Sequence, residues 1–136
     1  MKYNKLIIIF SIFSTLLAAN ACSVSARIKR ADKKYTIGEY YQAAEMYKQV
    51  YRNINSKDRA TRARVAFQQG ECYRILNNSK AMSAYKNAIR YQYPDSIVYI
   101  RYAQVLQYQG KYKDAEKQYD IYLEAHPTDY TARAGK

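Results

Sequence analysis

The 136-residue chain carries 23 Lys and Arg against 11 Asp and Glu, with one His and two Cys, for a formal net charge of +12. Two thiols and one imidazole are too few for a disulfide framework or a structural zinc site, and no metal or cofactor is implied. The glycine-rich phosphate loop, HExxH and G-x-S-x-G are all missing, and the one histidine, His126, has no triad around it, so the reading is not an enzyme.

The chain opens with Lys2 and Lys5, then an uncharged apolar run of 14 residues from Leu6 to Ala19, then Ala19-Asn20-Ala21, small residues where a signal peptidase cuts. A spanning helix needs about 20 apolar residues. Residues 1–21 therefore read as an export signal, against the alternative of a buried first helix in a cytosolic domain. Two outcomes of cleavage stay open. The junction resembles that of bacterial lipoproteins, with Ala19 where leucine is usual, which implies a lipidated Cys22 and a tether over 22–25. Ordinary cleavage would instead release a soluble periplasmic chain. With Cys22 acylated, Cys72 has no partner and reads as a small core residue.

Positive charge is concentrated in the first half: residues 22–70 hold 11 Lys and Arg against 4 acids, and residues 71–136 hold 10 against 7. Beside a lipid anchor, such a half suits anionic lipid or glycan surfaces, or an acidic partner. Solvated helix faces are the plainer source of the same charge. Nucleic acid is not an expected partner of an exported chain.

From residue 26 onward only a few Gly and Pro interrupt apolar spacings of three and four, which predicts helices throughout. They repeat. GEYYQAAEMYKQVY (38–51) aligns with GKYKDAEKQYDIYL (110–123), and NNSKAMSAYKNAI (77–89) is a middle copy. Each places an alanine four residues before a tyrosine: Ala43 and Tyr47, Ala81 and Tyr85, Ala115 and Tyr119. The alanines are 38 and 34 residues apart, and the polar segment 52–62 reads as an extended loop or helix end that accounts for the longer interval. In the third copy Tyr99-x-x-Tyr102-Ala103-x-x-Leu106 precedes the pair, with Gly110 in the turn and Pro127 as the stop. The second copy keeps Ala66-x-x-Gln69-Gly70-x-x-Tyr73, with Asn77 and Asn78 in the turn. The first keeps only Ala31, and its helix is expected to bury a narrow stripe of Ile28, Ala31, Tyr35 and Ile37.

This order of large, small and large residues resembles the tetratricopeptide pattern W-x₂-L-G-x₂-Y with its 34-residue period. The resemblance implies an all-α fold, a right-handed superhelical stack of about three helix-turn-helix repeats, near 26–54, 61–94 and 95–128 within a domain over 26–130. A non-repeat helical bundle is the alternative. Residues 129–136 begin like another helix, as a closing cap or as the front of a continuation.

Cys22-Ser23, KRADKKY, GECYRILNN and GKYKDAEKQYDIYLEAHPTD also resemble the N-terminal repeat region of Bacteroidota outer-membrane lipoproteins with tetratricopeptide, β-propeller and OmpA-like parts, from the type IX secretion machinery. That resemblance implies a protein-docking scaffold in the envelope, anchored in the outer membrane and facing the periplasm. The chain contains neither a propeller nor an OmpA-like segment, so peptidoglycan binding is not carried over. In a tetratricopeptide stack the first helix of each repeat, helix A, lines the groove. The register puts Ile28, Asp32 and Tyr35 there from the first repeat, Arg64, Phe67, Glu71 and Arg74 from the second, and Ile97, Ile100, Gln104, Gln107 and Tyr108 from the third. Such a groove suits a helix or extended peptide of another envelope protein, with apolar anchors and one or two charges. The alternative is that the large apolar members pack between repeats.

Overall fold

The computed structural model describes residues 23–136; the leader and Cys22 lie outside the described residues. Seven helices follow one another: α1 (23–36), α2 (Tyr40–Asn53), α3 (Arg59–Ile75), α4 (Ala81–Arg90), α5 (Ile97–Tyr108), α6 (Tyr112–Ala125) and α7 (Tyr130–Gly135). No strand occurs among the described residues.

Helices α1 and α2, α3 and α4, and α5 and α6 form three hairpins, each closed by the same pair of backbone bonds. Gly38 N–H donates to Tyr35 and Glu39 N–H to Lys34; Asn77 to Arg74 and Asn78 to Tyr73; Gly110 to Gln107 and Lys111 to Leu106, all at 2.8–3.0 Å. These bonds need one left-handed residue after the helix. Gly38 (φ 82°), Asn77 (φ 51°) and Gly110 (φ 72°) supply it, as expected for glycine and asparagine. The link from α4 to α5 uses the same closure, with Gln92 at φ 61°.

Small residues let the paired helices approach. Ala31, Ala43, Ala81, Ala103 and Ala115 are buried, and beside them Tyr47, Tyr85 and Tyr119 are enclosed almost completely. Gly70 lies so close to the Tyr85 ring that a methyl group there would meet it at 2.8 Å. The alanine–tyrosine spacing seen in the sequence is thus the closure of each hairpin. Tyr73 is buried, whereas Tyr99 and Tyr102 are only half-buried at the edge of the core. Pro127 is exposed beyond the end of α6 and takes no part in packing between repeats.

A second stripe joins successive hairpins. Val65 and Cys72 on α3, and Val98 and Val105 on α5, are buried at a spacing of seven and join the larger core cluster. This spacing keeps both residues on one helix face. On α7, Ala132 stands 34 residues after Val98 and is buried against the third hairpin. Helix α7 is capped by Asp129, which accepts from Ala132 N–H at 3.0 Å and from the Tyr122 hydroxyl at 2.9 Å.

The longer first interval is mostly helix end, with a short link at 54–58. Helix α2 runs to Asn53 and α3 starts at Arg59, where Asp58 caps it by accepting from Thr61 N–H at 3.1 Å. The surplus goes into α3, which has 17 residues against 12 in α5. Arg62 fixes the short link. Its guanidinium donates to the Ile54 carbonyl at 2.7 Å and to Asn55 at 3.2 Å, and it lies over the Tyr51 ring at 4.9 Å and the Tyr91 ring at 5.4 Å. In α1, Ile28 and Ala31 are buried and Tyr35 is half-buried. Ile37 is not part of that stripe: it falls in the turn after α1 and is 56% exposed.

Candidate functional site: the face of the first helices

Helices α1, α3 and α5 stand side by side, linked by ion pairs. Asp32 on α1 accepts from Arg64 on α3 at 2.7 Å, and Glu71 on α3 lies 3.8 Å from Arg101 on α5. Each carboxylate also receives the hydroxyl of its own hairpin's tyrosine: Tyr47 donates to Asp32 at 2.6 Å, and Tyr85 donates to Glu71. The third tyrosine follows suit with a neutral acceptor, Tyr119 donating to Gln107 Oε1 at 2.8 Å.

Glu71 is only 8% exposed. Burial alone would raise its carboxyl, but bonds from Arg74 (2.9 and 3.2 Å) and Tyr85, with the charges of Arg74 and Arg101, outweigh burial and hold it below the ordinary range. The bonds to Glu71 in turn keep the Arg74 guanidinium charged to unusually high pH. Burial, then the Glu71 charge and hydrogen bond, push the Tyr85 phenol upward, and burial and Asp32 do the same for Tyr47. A buried ion with its partners satisfied holds geometry rather than awaiting a ligand.

Four of the residues expected in the groove face inward, Ile100 among them in the core of the third hairpin. Phe67 stacks on Tyr93 with centroids 4.2 Å apart and meets Tyr85 edge-on at 5.9 Å, so it packs between elements. Glu71 is consumed by the ion cluster. Gln107 turns to α7, donating to the Gly135 carbonyl while accepting from Tyr119, because α7 covers that end of α5. Tyr35 is half-buried, edge-on to Tyr40 at 5.4 Å.

Ile97 is partly buried against both core clusters, and Ile28, Asp32, Arg64, Arg74, Gln104 and Tyr108 line two openings. The larger, about 790 Å³, lies between α1, α3 and the link joining α2 to α3. Ile28 and Ile54 give it apolar patches, and Ser25, Asp32, Asp58 and Arg64 give it a polar rim. The smaller, about 170 Å³, lies between the ends of α3 and α5 and gathers Arg74, Asn77, Asn78, Gln104, Tyr108 and Gln109. Tyr108 is 69% exposed at its edge. Amide side chains both donate and accept, matching the alternating needs of a peptide backbone. The α2–α3 link and the Asn77–Asn78 turn were not foreseen as lining; the register along helix A says nothing of the loops that wall it.

No group of His, Cys, Asp or Glu able to hold a metal occurs among the described residues, and none of the described helices is long and apolar enough to cross a membrane.

No protein-family model and no curated protein sequence matches the chain. Among solved structures it is similar to the crystal structure of the TPR domain of Arabidopsis FLU, at 17% identity and a TM-score of 0.71, over 81% of this chain and 99% of that one. At that identity the likeness is one of fold. Hairpins in series, closed by alanine and tyrosine, together with this likeness give the protein the tetratricopeptide-repeat fold, an architecture that presents an extended surface for binding.

Proposed function

We infer that the protein is a docking module that holds a segment of another envelope protein on the face of α1, α3 and α5. The observation that carries this reading is the cleft of about 790 Å³ between α1 and α3, with its apolar patches and polar rim. Asp32 and Arg64 are paired within the chain, and Arg74 is held by Glu71. Charge on the partner is thus secondary. Apolar anchors and backbone amides supply the recognition, the amides through Asn77, Asn78 and Gln104.

The sequence adds where this happens. An export signal ending at Ala21, followed by Cys22 and Ser23, supports a lipid on Cys22 and an address at the periplasmic leaflet of the outer membrane. The resemblance to type IX secretion lipoproteins supports an adaptor role in a secretion or envelope complex. Metabolic palmitate labelling that vanishes in Cys22→Ala tests the anchor. Co-purification of an envelope protein, lowered by Tyr108→Ala at the smaller opening and by Ser25→Trp in the cleft but not by Lys86→Glu on α4, tests the docking face; equal loss in all three would contradict it.

A further inference from the structure

The outward side of α1 differs from its counterparts. Where α3 has Val65 and Cys72 buried, and α5 has Val98 and Val105, α1 has Ala26 and Lys33, both exposed. No hairpin precedes α1 among the described residues, so this side meets none. Polarity alone would satisfy such an end. What stands there is charge of one sign: Arg27, Lys29, Arg30 and Lys33 are exposed within seven residues, and at 100° per residue Lys29, Arg30 and Lys33 fall on the side opposite Ile28, Ala31 and Tyr35, with Arg27 on the flank toward Ala31.

The acids that would neutralise them are elsewhere. Asp32 is turned away to Tyr47 and Arg64, and Glu39 is taken by Lys34. None of the four cations pairs with a carboxylate among the described residues, and residues 1–22 contain no Asp or Glu. By contrast, at the other end of the stack Lys117 and Lys136 are paired with Asp114, Glu116 and Asp120.

We propose that this face of α1 lies on anionic phospholipid headgroups. Its placement rests on the reading of Cys22 as a lipid attachment point, since Arg27 follows Cys22 by five residues and the face cannot be far from the surface that holds it. Each basic residue near an anionic surface contributes roughly fivefold to partitioning, and the effect is screened within about 8 Å at physiological salt. An acyl anchor and a basic patch together hold a protein more firmly than either alone. The domain is then laid down on α1 with Lys29, which also lines the edge of the cleft, at the border of the contact, and with the rest of the cleft and Tyr108 directed to a partner.

The test floats the full chain, purified from membranes, with vesicles of phosphatidylcholine alone or mixed with phosphatidylglycerol. Bound protein is acetylated, and Lys29 and Lys33 are compared with exposed Lys113 on α6. Acetylation of Lys29 and Lys33 should fall several-fold relative to Lys113 on the anionic vesicles only, and the protection should fade as salt is raised. Arg30→Glu, at an exposed position outside the core, should weaken the protection of Lys33. Flotation on both vesicle types with Lys29 and Lys33 fully reactive would overturn the proposal while leaving the anchor standing. Flotation on anionic vesicles alone, with protection, would uphold the basic face and remove the anchor. Flotation on neither would remove both.

Discussion

The Tyr85 hydroxyl crosses its hairpin to the Glu71 carboxylate, and Glu71 also meets Arg101 of the next repeat. One tyrosine thereby closes a repeat and positions the charge that links it to its neighbour. Tyr47, Asp32 and Arg64 do the same one repeat earlier.

Removing that hydroxyl should cost most where the acceptor is charged and buried. Tyr85→Phe is expected to lower unfolding free energy by about 1.5–3 kcal/mol, and Tyr119→Phe, which loses a neutral acceptor, by about 0.5–1.5 kcal/mol. Urea titrations followed by circular dichroism read both values. The reverse order would show that the Glu71 bond is not stabilising.

Gly70→Ala should destabilise, although alanine favours a helix over glycine by about 1 kcal/mol. The added methyl meets Tyr85 carbons at 2.8 and 2.9 Å, and that ring is held by Phe67 and Glu71. Overpacking of this kind costs about 1–3 kcal/mol. A rise in melting temperature would mean that the ring has room to give.

Acid should loosen the junction of the second and third repeats. Glu71 has its folded pKa below the unfolded value near 4.5, so its contribution is complete above 4.5 and is lost as pH falls through the folded value. Stability measured across this window should decline less steeply in Glu71→Gln than in the parent protein.

Alkali acts through groups shifted the other way. Burial first, and then the Glu71 charge, push the Cys72 thiol from 9.0 up to about 12, so its contribution is whole below 9.0 and lost as pH rises through about 12. The phenols of Tyr47 and Tyr85 are raised in the same sense. Tyrosinate absorbance should show exposed tyrosines ionising first and a later fraction appearing together with the loss of helical signal. Ionisation of every tyrosine before any helix is lost would contradict the burial.

Arg62→Ala should cost about 2 kcal/mol, from bonds to the Ile54 and Asn55 carbonyls and the two aromatic contacts. Hydrogen exchange should quicken over residues 54–58 first.

The helices and their pairing were legible because alanine before tyrosine is a statement about volume, and volume is what brings two helices together. Asn77 and Gly110 were legible as turns because few residues take positive φ; Gln92 was not, since nothing in glutamine announces it. The valine and cysteine stripe between repeats escaped notice because small apolar residues seven apart look like any helical face. In the groove, the register located helix A but not the chemistry along it. Phe67, Glu71 and Gln107 point where predicted only until Tyr93, Tyr85 and α7 are placed against them. Partners distant in sequence decide whether a side chain at a groove position is offered or consumed.

The docking face is tested most directly by photo-cross-linking in intact cells, with the reactive amino acid placed at exposed Tyr108 or, as the control, at exposed Lys86 on α4. The expected result is one discrete adduct with another envelope protein from position 108 and none from position 86. Adducts from 86 alone, or the same products from both positions, would contradict a partner held on α1, α3 and α5.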